Sequence, residues 1–105
     1  MSSKKYTKKI SDEEVRETIL QMCSAAGTDS SVKPEDIAIE IYPEEWQSVL
    51  KRVRLFAKQL ALTNEIEILR KGQPVDPNDF KGLIRLRVTE AFLNGDNERA
   101  NLSTA

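Results

Sequence analysis

The sequence contains no histidine and only one cysteine, Cys23, among its 105 residues. Histidine is the commonest general base and the commonest metal ligand in proteins. A single thiol can form neither an internal disulfide nor a thiolate metal cluster. The sequence also lacks any apolar run near the ~18 residues that a membrane-spanning helix requires. We therefore expect a protein that is not an enzyme, holds no metal or cofactor, and does not enter a membrane.

The apolar stretch of a secretory signal is missing as well. The lysine-rich segment 1–9 leads directly into Ser11-Asp12-Glu13-Glu14, whereas a signal peptide continues into an apolar region. We expect a cytoplasmic protein with one modest core, because a chain of this length fits a single domain. The predicted organisation is a flexible basic arm at 1–10, one domain at 11–88, and a polar, partly disordered tail at 89–105. That tail has room to dock one helical turn.

Charge is unevenly distributed along the chain, although the formal net charge is only −1. Residues 47–87 carry nine basic and four acidic side chains. Residues 1–46 carry six basic and ten acidic side chains, and residues 88–105 carry one basic and three acidic side chains. This segregation indicates a local positive surface formed by the elements of residues 47–87.

The first predicted helix begins with a capping box, in which Ser11 is followed three residues later by Glu14. Gly27 is typical of a helix end, and residues 28–33 form a connector that can include a very short strand. The apolar residues between these limits recur at the spacing of one helical face: Val15, Ile19, Met22, Cys23 and Ala26. Cys23 on this face is interpreted as a small buried hydrophobe rather than a reactive thiol.

Two further helix starts are marked by a proline followed by two acidic residues, at Pro34 and at Pro43. Within 34–42 the isoleucines alternate with other residues, which also suits a half-buried strand. The flanking prolines favour a short helix there. The third helix, over 43–63, carries the clearest apolar stripe in the chain: Trp46, Val49, Leu50, Val53, Phe56, Ala57 and Leu60.

Two period-two segments after the helices, 65–70 and 83–88, predict the strands of a hairpin, and 71–82 forms its long connection. Ile84, Leu86 and Val88 then share one face of the second strand, and Arg85 and Arg87 share the other. Three helices followed by a two-stranded hairpin are typical of a winged helix-turn-helix, an α+β and mainly α fold in which the hairpin is the wing. A three-helix bundle with an unrelated hairpin is the alternative, although a lone hairpin is marginally stable in water.

The hairpin segment carries the most distinctive residues of the sequence. Lys71-Gly72-Gln73-Pro74-Val75-Asp76-Pro77 is followed by Gly82-Leu83-Ile84-Arg85-Leu86-Arg87, and Trp46 stands early in the third helix. This pattern resembles a family of short bacterial proteins of unknown function, over roughly residues 12–88. The resemblance implies a winged-helix-like fold. It also supplies one functional option, an accessory to an RNA-modifying enzyme.

A basic stripe lies on the predicted third helix, apart from its apolar stripe. Gln47, Lys51, Arg54 and Lys58 are spaced i, i+4, i+7 and i+11. In a winged helix this element reads the DNA major groove, with lysines on phosphates and Gln or Arg on base edges. We predict that Lys71, Arg85 and Arg87 extend the contact to the nucleic-acid backbone. Any charged stripe is also compatible with an ordinary solvated helix face, and Glu44 and Glu45 at the start of the helix would repel phosphates.

Two other groups of residues bear on function. Leu55 and Leu62 fall outside the apolar stripe of the third helix and predict a partner surface, in a homodimer or with another protein. Asp76, Asn78 and Asp79 form a carboxylate cluster that we interpret as a turn cap, with no catalytic residue. The preferred hypothesis is a DNA-binding or regulatory domain, with RNA as another possible ligand. The alternative is a protein–protein interaction module that keeps the fold without contacting DNA.

Overall fold

The computed structural model describes residues 9–95, so the predictions of a flexible arm and a disordered tail fall mostly outside the described residues. Within them the chain is α+β and mainly helical, as predicted. The elements in chain order are α1 Asp12–Ala26, α2 Pro34–Ile41, a 3-10 turn Pro43–Glu45, α3 Trp46–Leu62, β1 Ile66–Arg70, β2 Gln73–Pro74, β3 Arg85–Val88 and α4 Glu90–Leu93.

Helix α1 begins where the capping box predicted it. The backbone N–H of Glu14 donates to the Ser11 hydroxyl at 3.0 Å, and acidic residues fill the first turn, where they favour the positive end of the helix dipole. Gly27 ends the helix with a φ of 81°, a conformation that glycine adopts without a Cβ clash. The buried face of α1 includes Val15, Ile19 and Cys23.

The segment 34–41 is a helix, which settles the ambiguity left by its alternating isoleucines. Ile37 and Ile41 lie on the buried side, and Ile39 remains 41% exposed because a helix turns it away from the core. The third helix differs from its predicted start. Residues Pro43–Glu45 form a 3-10 turn, and neither α2 nor α3 has a side-chain N-cap. The proline fixes its own φ and gives a tight junction between the two helices.

The sheet has three strands rather than the two that were predicted, in the antiparallel order β2-β1-β3. The connection 71–82 contains β2, which pairs with the end of β1. The chain reverses there because Lys71 and Gly72 both have positive φ, at 54° and 81°, the geometry of a tight hairpin turn. Val32 in the 28–33 connector adds an isolated bridge to Leu86, with two backbone hydrogen bonds of 2.8 Å.

The core lies between the helices and one face of this sheet. β1 and β3 pair with Ile66 opposite Val88 and Ile68 opposite Leu86, and all four side chains are buried. Buried residues of α1, α2 and α3 cover them. At the end of the sheet, the Thr89 hydroxyl accepts from the Phe92 N–H at 3.1 Å and donates to the Asn64 carbonyl at 2.8 Å. The hydrogen bond from Phe92 caps α4, which is the single helical turn expected at the start of the C-terminal tail.

The burial of Cys23 makes a prediction about its reactivity. Its side chain is inaccessible, and desolvation raises the pKa of the thiol from 9.0 to about 12. We expect iodoacetamide to leave the folded protein unmodified at pH 8 and to alkylate it fully in denaturant. The protonated thiol contributes stability that is fully present below pH 9 and is lost as the pH rises toward 12. Equal alkylation rates in the presence and absence of denaturant would contradict this burial.

Candidate nucleic-acid interface and the adjoining cleft

The exposed face of α3 carries both the predicted basic stripe and the predicted partner surface. Lys51, Leu55, Lys58 and Leu62 follow one another at i, i+4, i+7 and i+11, so they lie along one side of the helix. Leu55 and Leu62 are 49% and 53% exposed, Lys51 is exposed, and Lys58 is half-buried. The predicted basic stripe and the predicted partner surface are therefore one surface of alternating lysine and leucine.

Arg54 lies at the edge of this surface and ties α3 to the segment before β3. Both terminal nitrogens of its guanidinium donate to the Gly82 carbonyl, at 3.4 Å. The same guanidinium lies 5.4 Å from the centroid of the Phe80 ring, within the range of a cation–π contact. Arg54 is consequently held in place, and its charge borders the loop rather than extending freely into solvent.

Arg70, at the end of β1, also lies near this glycine. Gly82 has a φ of 78°, and a Cβ built on it would lie 4.0 Å from the Arg70 Nη2 atom. The basic residues of α3 thus continue through Gly82 into those of the β1–β2 turn. We call the basic residues of α3, of the end of β1 and its turn, and of the segment before Gly82 the basic band: Lys51, Arg54, Lys58, Arg70, Lys71 and Lys81.

The charges of the basic band are not neutralised within residues 9–95. In that part of the chain, two arginines have a carboxylate within 4 Å: Arg52 pairs with Asp12, and Arg87 pairs with Glu67. Neither arginine belongs to the basic band. Glu44 and Glu45 are exposed in the 3-10 turn that precedes α3. The start of α3 is therefore acidic, and its middle is basic.

The two arginines of β3 have different surroundings. The Arg87 guanidinium forms two hydrogen bonds to Glu67 Oε1, at 3.0 and 2.6 Å, so a cross-strand carboxylate compensates its charge. Arg85 instead donates to the Ser31 hydroxyl at 2.6 Å and to the Ser31 carbonyl at 3.1 Å. The structure thus leaves Arg87 outside the basic band and places Arg85 beside a cleft.

This cleft of about 630 Å³ lies between the start of α2, the β1–β2 turn and the start of β3. Leu69, Leu83 and Ile84 supply its apolar surface, and basic residues from three different segments reach its rim. Because Arg70 and Lys71 also line it, the cleft is continuous with the basic band. Nothing in the local sequence patterns predicted it, since its walls come from segments as far apart in the chain as Ser31 and Arg85.

The Asp76 turn has the structure that the sequence indicated. Asp76 Oδ1 accepts from the Asn78 N–H at 2.9 Å, and the Asp76 carbonyl accepts from the Asp79 N–H at 3.0 Å.

No group of three or more His, Cys, Asp or Glu side chains able to hold a metal ion occurs among residues 9–95. Over the same residues, no helix combines the length and apolar character needed to cross a membrane.

Comparison with known families matches residues 12–89 to the family described as "Protein of unknown function (DUF3253)". The match spans most of the chain, so the protein belongs to this family. No curated protein matches the chain. The resemblance to a family of unknown function is therefore confirmed, and membership by itself assigns no activity.

Proposed function

We propose that this chain is a winged-helix domain that binds duplex DNA, and that the basic band forms the contact. The element order supports the fold assignment: α1, the Val32 bridge, α2, α3, and then the antiparallel strands β1 and β3. The 3-10 turn between α2 and α3 takes the place of the turn in a helix-turn-helix. The single observation that carries the functional proposal is the junction of Arg54 and Arg70 at Gly82, which joins the helix and hairpin cations.

In this proposal the exposed face of α3 lies along the major groove. Lys51 and Lys58 contact phosphates, and Gln47 reaches a base edge. The hairpin supplies the remaining backbone contacts through Arg70, Lys71 and Lys81, with Arg85 at the far end. Phosphate contacts of this kind supply affinity without sequence information.

The acidic turn before α3 determines which part of the helix approaches DNA. Glu44 and Glu45 are repelled by phosphates, and their repulsion is strongest at low salt. We therefore place the closest approach at the middle of α3, around Lys51 and Lys58, rather than at its N-terminus. Specific binding is expected to be modest, because Arg54 is held by Gly82 and Phe80, which leaves Gln47 as the remaining Gln or Arg of the predicted stripe.

A salt-series titration tests this proposal. About six phosphate contacts predict a slope of roughly −5 for log K against log salt on duplex DNA. Fluorescence anisotropy with a labelled generic duplex measures the slope, and an RNA duplex of equal length forms a parallel arm. Because A-form RNA has a deep and narrow major groove, we expect weaker binding to RNA. The absence of detectable DNA binding at low salt would overturn the proposal.

The exposed leucines of α3 favour a second candidate, a protein–protein interaction module. Leu55 and Leu62 lie on the same face as the lysines, so an acidic amphipathic helix would match both their apolar surface and the surrounding charge. A homodimer through this face would bring like charges together. Loss of DNA binding in the titration makes this candidate the preferred one.

A further inference from the structure

We propose that the cleft beside α2 is a binding site for a small organic anion with an apolar body and one acidic group. The cleft shares Arg70, Lys71 and Arg85 with the proposed DNA contact, whereas its apolar lining and Lys33 lie outside that contact. The proposal does not require that the protein binds DNA. Its volume of about 630 Å³ falls within the range of small-molecule sites, which combine a mostly apolar lining with a few fixed polar groups.

The apolar part of the site has a buried floor and an exposed rim. Leu69, in β1, and Ile84, directly before β3, are each 5% exposed. Leu83, on the rim, is 87% exposed, the largest fraction among the large hydrophobic residues of the described chain. A ligand with an apolar body would cover this leucine and remove its surface from water, which is favourable in proportion to the area buried.

The polar part of the site is fixed before any ligand arrives. Arg85 uses two of its five N–H donors on Ser31, which holds the guanidinium in place. The other three N–H groups have no acceptor among residues 9–95. A carboxylate or phosphate group can accept hydrogen bonds from these N–H groups, and the Arg85 side chain loses little further conformational freedom when it does. Lys33, directly before α2, and Lys71, in the β1–β2 turn, add positive charge to the cleft.

The acidic residues of the cleft limit how much charge the ligand can carry. Glu35 and Asp36 lie on the first turn of α2 and line the same cleft. They offset two of its four basic residues, so the site favours one acidic group over a polyphosphate. The ligand class follows from three features: an apolar floor, one arginine held in place, and acidic residues that offset half of the positive charge. Together they favour an apolar molecule with one acidic group.

Anilinonaphthalene sulfonate, an aromatic anion, is the probe for this site, and phenylnaphthylamine is its uncharged counterpart. We expect Lys33→Glu to weaken sulfonate binding about tenfold, through reversal of one nearby charge, and to leave the uncharged probe unchanged. Leu83→Ser should weaken both probes. Lys51→Glu, on α3, makes the same charge change outside the cleft and should alter neither affinity by more than about twofold.

Both substitutions in the cleft are at exposed positions, so circular dichroism should confirm an unchanged fold. Displacement of the sulfonate by octanoate or by adenosine monophosphate distinguishes a carboxylate from a phosphate head group. The proposal is overturned if Lys51→Glu acts as strongly as Lys33→Glu, if Leu55→Ser rather than Leu83→Ser abolishes probe binding, or if neither acid displaces the probe. Lys33 and Leu83 lie outside the basic band, so Lys33→Glu and Leu83→Ser should leave the salt slope on DNA unchanged, and failure of this proposal is distinguishable from failure of DNA binding.

Discussion

Replacing Leu86 with alanine is expected to lower the free energy of unfolding by about 3 kcal/mol, a large part of the total stability of a small domain. The Leu86 side chain is fully inaccessible. It lies opposite Ile68 in the β1–β3 ladder, and its backbone also pairs with Val32. The truncation removes buried methyl groups where three segments converge, so neighbouring atoms cannot move in to fill the space without disturbing the sheet.

Urea denaturation measures this loss, and Leu83→Ala provides a matched control. The control deletes the same atoms three residues earlier, at a position that is 87% exposed. Its effect should stay within about 0.5 kcal/mol, and the dependence of unfolding on urea should be the same for both variants. Similar losses at the two positions would mean that β3 does not have the register described here.

The helices were predictable because their signals are local. The Ser11–Glu14 capping box and the apolar stripe of α3 each lie within a few turns of one element. The face shared by Leu55 and Lys58 also follows from helical spacing alone, because the two residues are three positions apart in α3. The isoleucines of 37–41 were ambiguous because period-two and helical patterns overlap over so few residues.

The arrangement of the basic residues was less predictable because it depends on contacts between distant residues. Arg70 ends a strand, and only the folding of the hairpin brings it beside Gly82. Arg87 looked like a phosphate contact because it alternates with core residues, yet its partner Glu67 lies twenty residues away. Strand alternation indicates which face a side chain occupies, and it does not indicate which charge on the neighbouring strand lies opposite.

Removing three charges from the basic band should have the largest effect on DNA binding. We expect the triple variant Lys51→Gln, Lys58→Gln and Arg70→Gln to reduce the salt slope by about three and the affinity at low salt by roughly a hundredfold or more. None of the three has a carboxylate partner within residues 9–95. Their loss therefore leaves no unpaired acid, and the fold should be retained. Arg54 is excluded because its contacts with Gly82 and Phe80 are structural.

Arg87→Gln is the control that separates a localised contact from a simple dependence on net charge. It removes one positive charge, as each substitution of the triple variant does, but from a side chain already paired with Glu67. We expect the salt slope of Arg87→Gln to equal that of the unmodified protein, whereas Lys51→Gln alone should reduce the slope by about one. If both single variants lower the slope equally, binding follows net charge alone. The junction of helix and hairpin cations at Gly82 then has no special role in binding DNA.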